Sequence, residues 1–165
     1  MNILFLHGLE SKLSNGKRKI LENYGNVIAP DLDYKANPNI IQNLYDEYQD
    51  QNINAIIGSS FGGFTGYHLA NILGVCALLY NPALPYRSAE QIIPVNLPIK
   101  QSLLMRIVLG GYDPIIKAKD NLIFLSQYYN EKTSYSIIIK NDLAHRIPIE
   151  VFEEETKGFF DGLCY

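Results

Sequence analysis

Residues 55–64 have the sequence Ala-Ile-Ile-Gly-Ser-Ser-Phe-Gly-Gly-Phe, and this stretch decides the fold. The apolar, partly β-branched run that begins at Ile53 is typical of a strand buried on both faces of a sheet. From Phe61 onward, apolar side chains recur at helical spacing. The pattern therefore predicts a buried strand, a tight turn at Ser60 and a helix in immediate succession.

The predicted turn matches the pattern Gly-x-Ser-x-Gly centred on Ser60, with Gly58 and Gly62 two residues to either side. A serine at such a turn sits on strained backbone with its hydroxyl exposed, and the chain folds back too sharply for side chains at the glycine positions. The N–H of Phe61, at the helix start, is expected to point toward negative charge that develops beside Ser60. A glycine-rich turn that only packs closely is the alternative, but the strand–turn–helix context favours a reactive serine.

Composition and charge narrow the class of protein. The chain has 165 residues, of which 47% are hydrophobic and 19% charged, so we expect a single globular domain over residues 1–165. The net charge of -3 argues against nucleic acid or an anionic membrane surface as a partner. The first apolar run, Ile3 to Leu6, is too short for a signal peptide or a membrane span. Cys76 and Cys164 do not make a disulfide framework, which favours a cytoplasmic location.

The order of predicted elements indicates an α/β fold. Short apolar runs alternate with helical patterns, which implies about six mostly parallel strands with helices on both faces of the sheet. We expect one helix from about Ile115 to Tyr129. Residues 81–101 contain four of the eight prolines and are expected to form an irregular loop or a partial lid, with one helical turn near Ser88 to Ile92.

Reactive side chains follow several of the predicted strands at their carboxyl ends, where ligands bind in open parallel sheets. A serine needs a base to become a nucleophile, and a carboxylate on the far nitrogen of a histidine holds that base in the required tautomer. We assign His145 as the base for Ser60 and Asp113 as the acid, although Asp142 lies only three residues before His145 and remains an alternative. His7 is expected to brace its own loop through hydrogen bonds.

Two backbone donors and an apolar mouth complete the predicted site. The N–H groups of Phe61 and Leu9 are expected to bind the oxyanion, since the loop after the first strand should lie beside Ser60. This chemistry needs no metal ion and no organic cofactor. With Leu9 and Phe61, a further three residues are expected to line the mouth as substrate-binding residues, namely Leu84, Tyr86 and Tyr112. His68, on the helix after Ser60, is expected to be a packing or surface residue.

At these residues the sequence resembles the α/β-hydrolases, and more narrowly the small bacterial esterases of the YqiA/YcfP type. The resemblance is carried by residues 3–8 (Ile-Leu-Phe-Leu-His-Gly), residues 58–63 (Gly-Ser-Ser-Phe-Gly-Gly), Gly110 to Asp113, and Ala144-His145. It implies a minimal fold without the two leading antiparallel strands, and a triad of Ser60, Asp113 and His145. It also implies hydrolysis of esters, on short acyl or thioester substrates.

The leading hypothesis is therefore a serine esterase that acts on small carboxylic esters through an acyl-enzyme. A thioesterase or amidase with the same mechanism is a second reading, and a non-catalytic binding module on a hydrolase fold is a third. The strained turn argues against the third, because a simple scaffold does not need it. The expected partner is a small ester or thioester, and the chain is expected to be a monomer or a small homo-oligomer.

Overall fold

The computed structural model of the protein describes residues 1–163. Within this range the strands are, in chain order, β1 (Asn2–Leu6), β2 (Asn26–Ile28), β3 (Ile53–Ser59), β4 (Cys76–Tyr80), β5 (Leu104–Gly110) and β6 (Ser134–Lys140). The helices are α1 (Asn15–Glu22), α2 (Ile40–Tyr48), α3 (Phe61–Leu73), α4 (Ala118–Gln127) and α5 (Ile149–Gly162). The strands form one sheet in the order β2-β1-β3-β4-β5-β6, and every neighbouring pair is parallel. The expected α/β architecture without leading antiparallel strands is confirmed.

Alternating side chains of each strand enter two separate cores. On β3, Ile56 packs into the core that α2, α3 and α4 cover, whereas Ile57 packs into the core under α1 and α5. Both isoleucines are fully buried, and burying such a side chain contributes roughly 2 kcal/mol. The sheet is therefore covered on both faces, which explains why its strands are nearly continuous apolar runs. No helix among residues 1–163 combines the length and the apolar character needed to cross a bilayer.

The strand register brings the loops that follow β1, β3, β4 and β5 to one edge of the sheet. Gly58, near the end of β3, pairs with Leu6 of β1 and with Leu79 of β4. Val108, near the end of β5, pairs with Tyr80 of β4. Neighbouring strands therefore end at similar levels, and the loops that follow them share the carboxyl edge of the sheet.

The segment between β4 and β5 has neither helix nor strand over residues 81–103. Its backbone is tied to other loops: the Ile92 N–H, for example, donates to the Pro38 carbonyl at 2.8 Å. The helical turn expected at Ser88 to Ile92 is therefore wrong, and the segment is irregular.

Candidate active site

Ser60 lies between the last residue of β3 and the first residue of α3, with backbone angles φ 53° and ψ -116°. A positive φ is unfavourable for a serine and costs on the order of 1–3 kcal/mol. The surrounding backbone holds it there: the Ser60 N–H donates to Tyr80 O, and Ser60 O accepts from the N–H groups of Phe64 and Ala83, all at 3.0 Å. The strain is thus fixed by three backbone hydrogen bonds from different elements.

Gly58 and Gly62 allow the chain to fold back at this turn. A Cβ on Gly58 would overlap the carbonyl oxygen of Gly62, and a Cβ on Gly62 would overlap the carbonyl oxygen of Leu6. Because both obstacles are backbone atoms, neither can move aside as a flexible side chain would. The two glycines are therefore required by close packing rather than by a positive φ.

The ring of His145 lies between Ser60 and Asp113. Its Nε2 is 3.1 Å from Ser60 Oγ, and its Nδ1 is 2.7 Å from Asp113 Oδ2. The carboxylate can only accept, so Nδ1 carries the ring proton in the neutral imidazole and Nε2 is free to accept the proton of the serine hydroxyl. The side chain of Asp113 is fully buried and that of His145 is 20% exposed, so water competes little for the carboxylate.

The second oxygen of Asp113 fixes the carboxylate in place. Asp113 Oδ1 accepts from the N–H groups of Ile115 and Ile116 at 2.8 and 2.9 Å. These bonds form a turn, and the helix expected from Ile115 begins only at Ala118. Asp113 therefore stabilises this turn and contacts the histidine, and it does not cap a helix. Asp142, the alternative acid, is exposed, and in residues 1–163 the carboxylate within hydrogen-bond distance of His145 is that of Asp113.

Asn81 is a buried residue of this site that the sequence reasoning missed. It follows β4 directly, with a φ of 40°, and its side chain joins the loop of His145 to the end of β5. Its Nδ2 donates to the carbonyls of Ala144 at 2.9 Å and His145 at 3.3 Å, while its Oδ1 accepts from the Gly110 N–H at 2.6 Å. Asn81 therefore holds the histidine loop against the end of β5, from which the Asp113 loop starts.

Two backbone N–H groups border the space in front of Ser60. The N–H of Phe61 is at the first position of α3 and has no carbonyl partner within the helix. The Leu9 N–H belongs to the loop after β1, and Gly8 in this loop lies so close to Ser60 that a Cβ there would be 3.4 Å from Ser60 Cβ. Both Phe61 and Leu9 line the cleft into which Ser60 opens.

His7 controls the direction of the Leu9 N–H. Its Nε2 accepts from the Leu32 N–H at 2.9 Å, so its Nδ1 carries the proton and donates to Gly8 O at 2.7 Å. Gly8 O and the Leu9 N–H belong to the same planar peptide group. The two groups point in opposite directions, so a hydrogen bond that holds the Gly8 carbonyl also sets the direction of the Leu9 N–H. His7 has the bracing role that the sequence predicted for it.

The structure brings one of the three expected mouth residues to the cleft. Tyr86 lines this cleft of about 720 Å³ together with Ser60 and His145. Leu84 is buried in the core and faces a second cavity. The Tyr112 N–H donates to Leu143 O, but its side chain is 73% exposed and lies outside the lining of either cavity.

The second cavity, of about 770 Å³, lies between α3, α4 and the irregular segment. We call it the α3–α4 groove. Its histidine, His68, packs between the rings of Phe64 and Tyr67, with centroid distances of 4.6 and 5.2 Å. Burial, with the charge of Arg87 nearby, lowers the pKa of His68 to about 4. His68 is therefore a neutral packing residue at pH 7.

The described residues, 1–163, offer few side chains that could bind a metal ion together. Within that range no group of three or more His, Cys, Asp or Glu side chains could hold a metal ion. Cys76 is a free thiol, and the prediction made for Cys164 lies outside the described residues.

Comparison of the sequence with protein-family models identifies the family. Residues 2–106 match the family model described as Uncharacterised protein family (UPF0227). The chain belongs to this family. No curated protein sequence gives a significant match. The YqiA/YcfP-type resemblance is confirmed at the level of the family.

Solved structures identify the fold. Alpha/beta hydrolase domain-containing protein 10 from mouse is 14% identical, with a TM-score of 0.69 over 98% of this chain and 90% of that chain. The carboxylesterase of Bacillus cereus is 15% identical, with a TM-score of 0.65 over 97% and 87%. The fluorophosphonate-binding serine hydrolase FphF of Staphylococcus aureus is 18% identical, with a TM-score of 0.67 over 98% and 82%. The chain therefore has the α/β-hydrolase fold.

Proposed function

We propose that this protein is a serine hydrolase that cleaves small carboxylic esters through an acyl-enzyme. One observation carries the proposal: the His145 ring contacts Ser60 Oγ with one nitrogen and the buried Asp113 carboxylate with the other. A structural histidine needs no serine on strained backbone, whereas a nucleophile needs both the base and the orienting acid. The likeness of the fold to a carboxylesterase and a serine hydrolase supports the same reaction class.

In the first half of the reaction, Ser60 Oγ attacks the ester carbonyl and His145 Nε2 takes the hydroxyl proton. The carbonyl oxygen becomes negative and accepts hydrogen bonds from the N–H groups of Phe61 and Leu9. One such donor contributes about 3 kcal/mol to the transition state. Asp113 stabilises the imidazolium, and His145 then gives its proton to the leaving alkoxide, which departs as the alcohol.

In the second half, water hydrolyses the acyl-serine. His145 Nε2 takes a proton from the water as its oxygen attacks the acyl carbon, and the same two N–H groups bind the oxyanion. Collapse of this intermediate breaks the bond to Ser60 Oγ, which recovers its proton from His145. The net reaction is ester plus water to carboxylic acid plus alcohol, and every proton is moved by a side chain of this chain.

The test uses 4-nitrophenyl acetate and butyrate with labelling by a fluorophosphonate probe. Wild type should hydrolyse the esters and be labelled, while Ser60→Ala should lose both properties and keep its circular dichroism spectrum. Ser59→Ala is the matched control, because it removes the neighbouring hydroxyl that lines the same cleft. Labelling that persists in Ser60→Ala would refute the assignment of the nucleophile. A wild type that is neither labelled nor active would refute the proposed hydrolase.

A further inference from the structure

Lys17 places a positive charge in the wall of the Ser60 cleft. It lies in the first turn of α1, half-buried, with Nζ 5.2 Å from the centroid of the Phe152 ring. In residues 1–163, no carboxylate lies within ion-pair distance of this ammonium. Burial lowers the pKa of Lys17, and no neighbouring acid offsets that effect.

Arg87 is a second cation of the cleft lining, and it also lines the α3–α4 groove, where its charge acts on His68. Its guanidinium carbon is 3.8 Å from the centroid of the Phe64 ring, and its Nη1 donates to the carbonyls of Ala83 and Leu84. These partners are neutral, so the arginine also has no carboxylate within ion-pair distance in the described range. Phe64 belongs to the core on one face of the sheet and Phe152 to the core on the other. The two cations therefore contact rings on opposite faces of the sheet, and both line the cleft.

The cleft as a whole is positive although the chain is negative. Its charged lining residues are Lys17, Arg87, Arg146 and Glu10, while the whole chain has a net charge of -3. Glu10 is already paired, with its Oε1 2.6 Å from Lys35 Nζ. Three cations therefore face the cleft without a free acid among the described lining residues.

This arrangement is unfavourable for stability alone. A partly buried charge without a counter-ion loses hydration and gains no ion pair. The first turn of a helix also disfavours a cation, because the helix dipole is positive there. Phe152 and Phe64 offset part of this cost through cation–π contacts. A bound anion would offset the rest, because it would supply the counter-charge that the two residues lack.

We propose that the Ser60 cleft takes esters that carry a negatively charged group, a carboxylate or a phosphate, placed to contact Lys17 or Arg87. The inference rests on the proposed function, since it names the substrate class of the same site. The charged group is separate from the scissile ester, because the carbonyl itself must lie between Ser60 and the N–H groups of Leu9 and Phe61.

Two matched pairs of substrates test the inference. Mono-4-nitrophenyl adipate and its methyl ester differ by one charge on the acyl side, and 4-acetoxybenzoate and its methyl ester differ by one charge on the alcohol side. In at least one pair, kcat/KM should be about tenfold or more higher for the anion, mainly through a lower KM. Higher ionic strength should reduce this preference by screening.

Substitution of the cationic residues shows which of them binds the anionic group of the substrate. Lys17→Met should lower the ratio of anionic to neutral kcat/KM about tenfold, and Lys17→Glu should lower it further. Lys19→Met is the matched control, because Lys19 is exposed on the same helix and lies outside the cleft lining. Arg87→Gln should lower the ratio as well, and it keeps a side-chain donor for the carbonyls that Arg87 contacts.

The outcomes separate the two proposals. If wild type has the same kcat/KM for the neutral ester as for the anionic ester in both pairs, the substrate inference is wrong and the hydrolase proposal stands. If no ester is cleaved, binding still decides the inference, by ligand-observed NMR on Ser60→Ala with monomethyl adipate and dimethyl adipate. Preferential binding of the monoanion that is weakened by a second substitution, Lys17→Met, would support the anionic site. Equal binding of the two ligands would overturn it.

Discussion

The Ser60 cleft and the α3–α4 groove are nearly equal in volume, at about 720 and 770 Å³, and each contains a histidine. In the cleft, His145 contacts a serine hydroxyl and a buried carboxylate. In the groove, His68 contacts two aromatic rings, and its buried Nε2 has no hydrogen-bond partner among the described residues. The size of a cavity therefore does not distinguish the proposed active site from the other cavity. The polar side chains that converge on His145 from several strand ends distinguish it.

The largest expected effect comes from the acid that orients His145. In Asp113→Asn, the new amide can still accept from the Ile115 and Ile116 N–H groups, so the turn should survive. Its NH₂ group would face His145 Nδ1, however, and force the ring proton onto Nε2. We expect kcat to fall roughly ten-thousand-fold, measured with 4-nitrophenyl butyrate.

The neighbouring acid provides the control for that experiment. Asp142→Asn removes a carboxylate of the same loop as His145, but one that is exposed. We expect it to retain wild-type kcat. If Asp142→Asn were the inactive variant and Asp113→Asn the active one, the assignment of the acid would be reversed.

An intermediate effect is expected from Asn81, which connects the loops of the cleft. Asn81→Gly removes all three side-chain hydrogen bonds and tolerates the φ of 40°. Because His145 is then less well positioned, kcat should fall about 10- to 100-fold with little change in KM. The free energy of unfolding should fall by about 1–3 kcal/mol, measured by urea denaturation.

Asn71→Ala is the matched control from the groove. Asn71 donates to Tyr67 O at 3.0 Å and accepts from the Ser102 N–H at 3.1 Å, so its loss should also reduce stability. We expect its kcat to remain that of wild type, because these bonds hold the groove and not the loops that carry Asp113 and His145. Equal losses of kcat in both variants would mean that the Asn81 effect is only a loss of stability.

The smallest effect is a pH dependence of stability that comes from the groove. The pKa of His68 is about 4 when folded, and the ordinary value is 6.5, so protons bind the unfolded chain preferentially between these values. Stability should therefore fall as the pH falls through this range. Between pH 7 and pH 5, we expect wild type to lose about 2 kcal/mol more than His68→Phe.

Urea denaturation at the two pH values measures this difference. The chain has no tryptophan and twelve tyrosines, so circular dichroism or tyrosine fluorescence can follow unfolding. The same pH dependence in wild type and His68→Phe would show that the groove does not keep this histidine neutral. In that case, His68 in the groove would not differ from His145 in the cleft in the way described above.

Much of the fold and the core of the site could be predicted from the sequence. The run before Gly58 indicates a two-faced buried strand, and the glycine spacing indicates the turn that Ser60 occupies. Asp113 and His145 could be found because their residue types carry chemistry and follow predicted strands. Their mutual distances, however, depend on the strand order, which hydrophobic periodicity does not determine.

The remaining features depend on tertiary contacts that leave little trace in sequence. Asn81 follows a strand and precedes a proline, a pattern that is typical of an ordinary turn. Its three hydrogen-bond partners are far from it in the chain. The sequence pattern indicates that Lys17 is an ordinary surface lysine of α1. Only the tertiary structure shows that it lies beside Phe152 and the cleft. Leu84 was expected in the mouth, but the course of an irregular segment cannot be derived from periodicity.

The spatial order of the strands has a consequence for how the chain is synthesised. From β4 to β6, each strand pairs with the one made just before it, so this half of the sheet can grow at one edge in the order in which the ribosome delivers it. Ser60 emerges early in that sequence, whereas Asp113 and His145 arrive with the loops after β5 and β6. A nascent chain that has reached only β4 would therefore carry the proposed nucleophile without its base, and the proposed triad is complete only when β6 and the loop after it are in place.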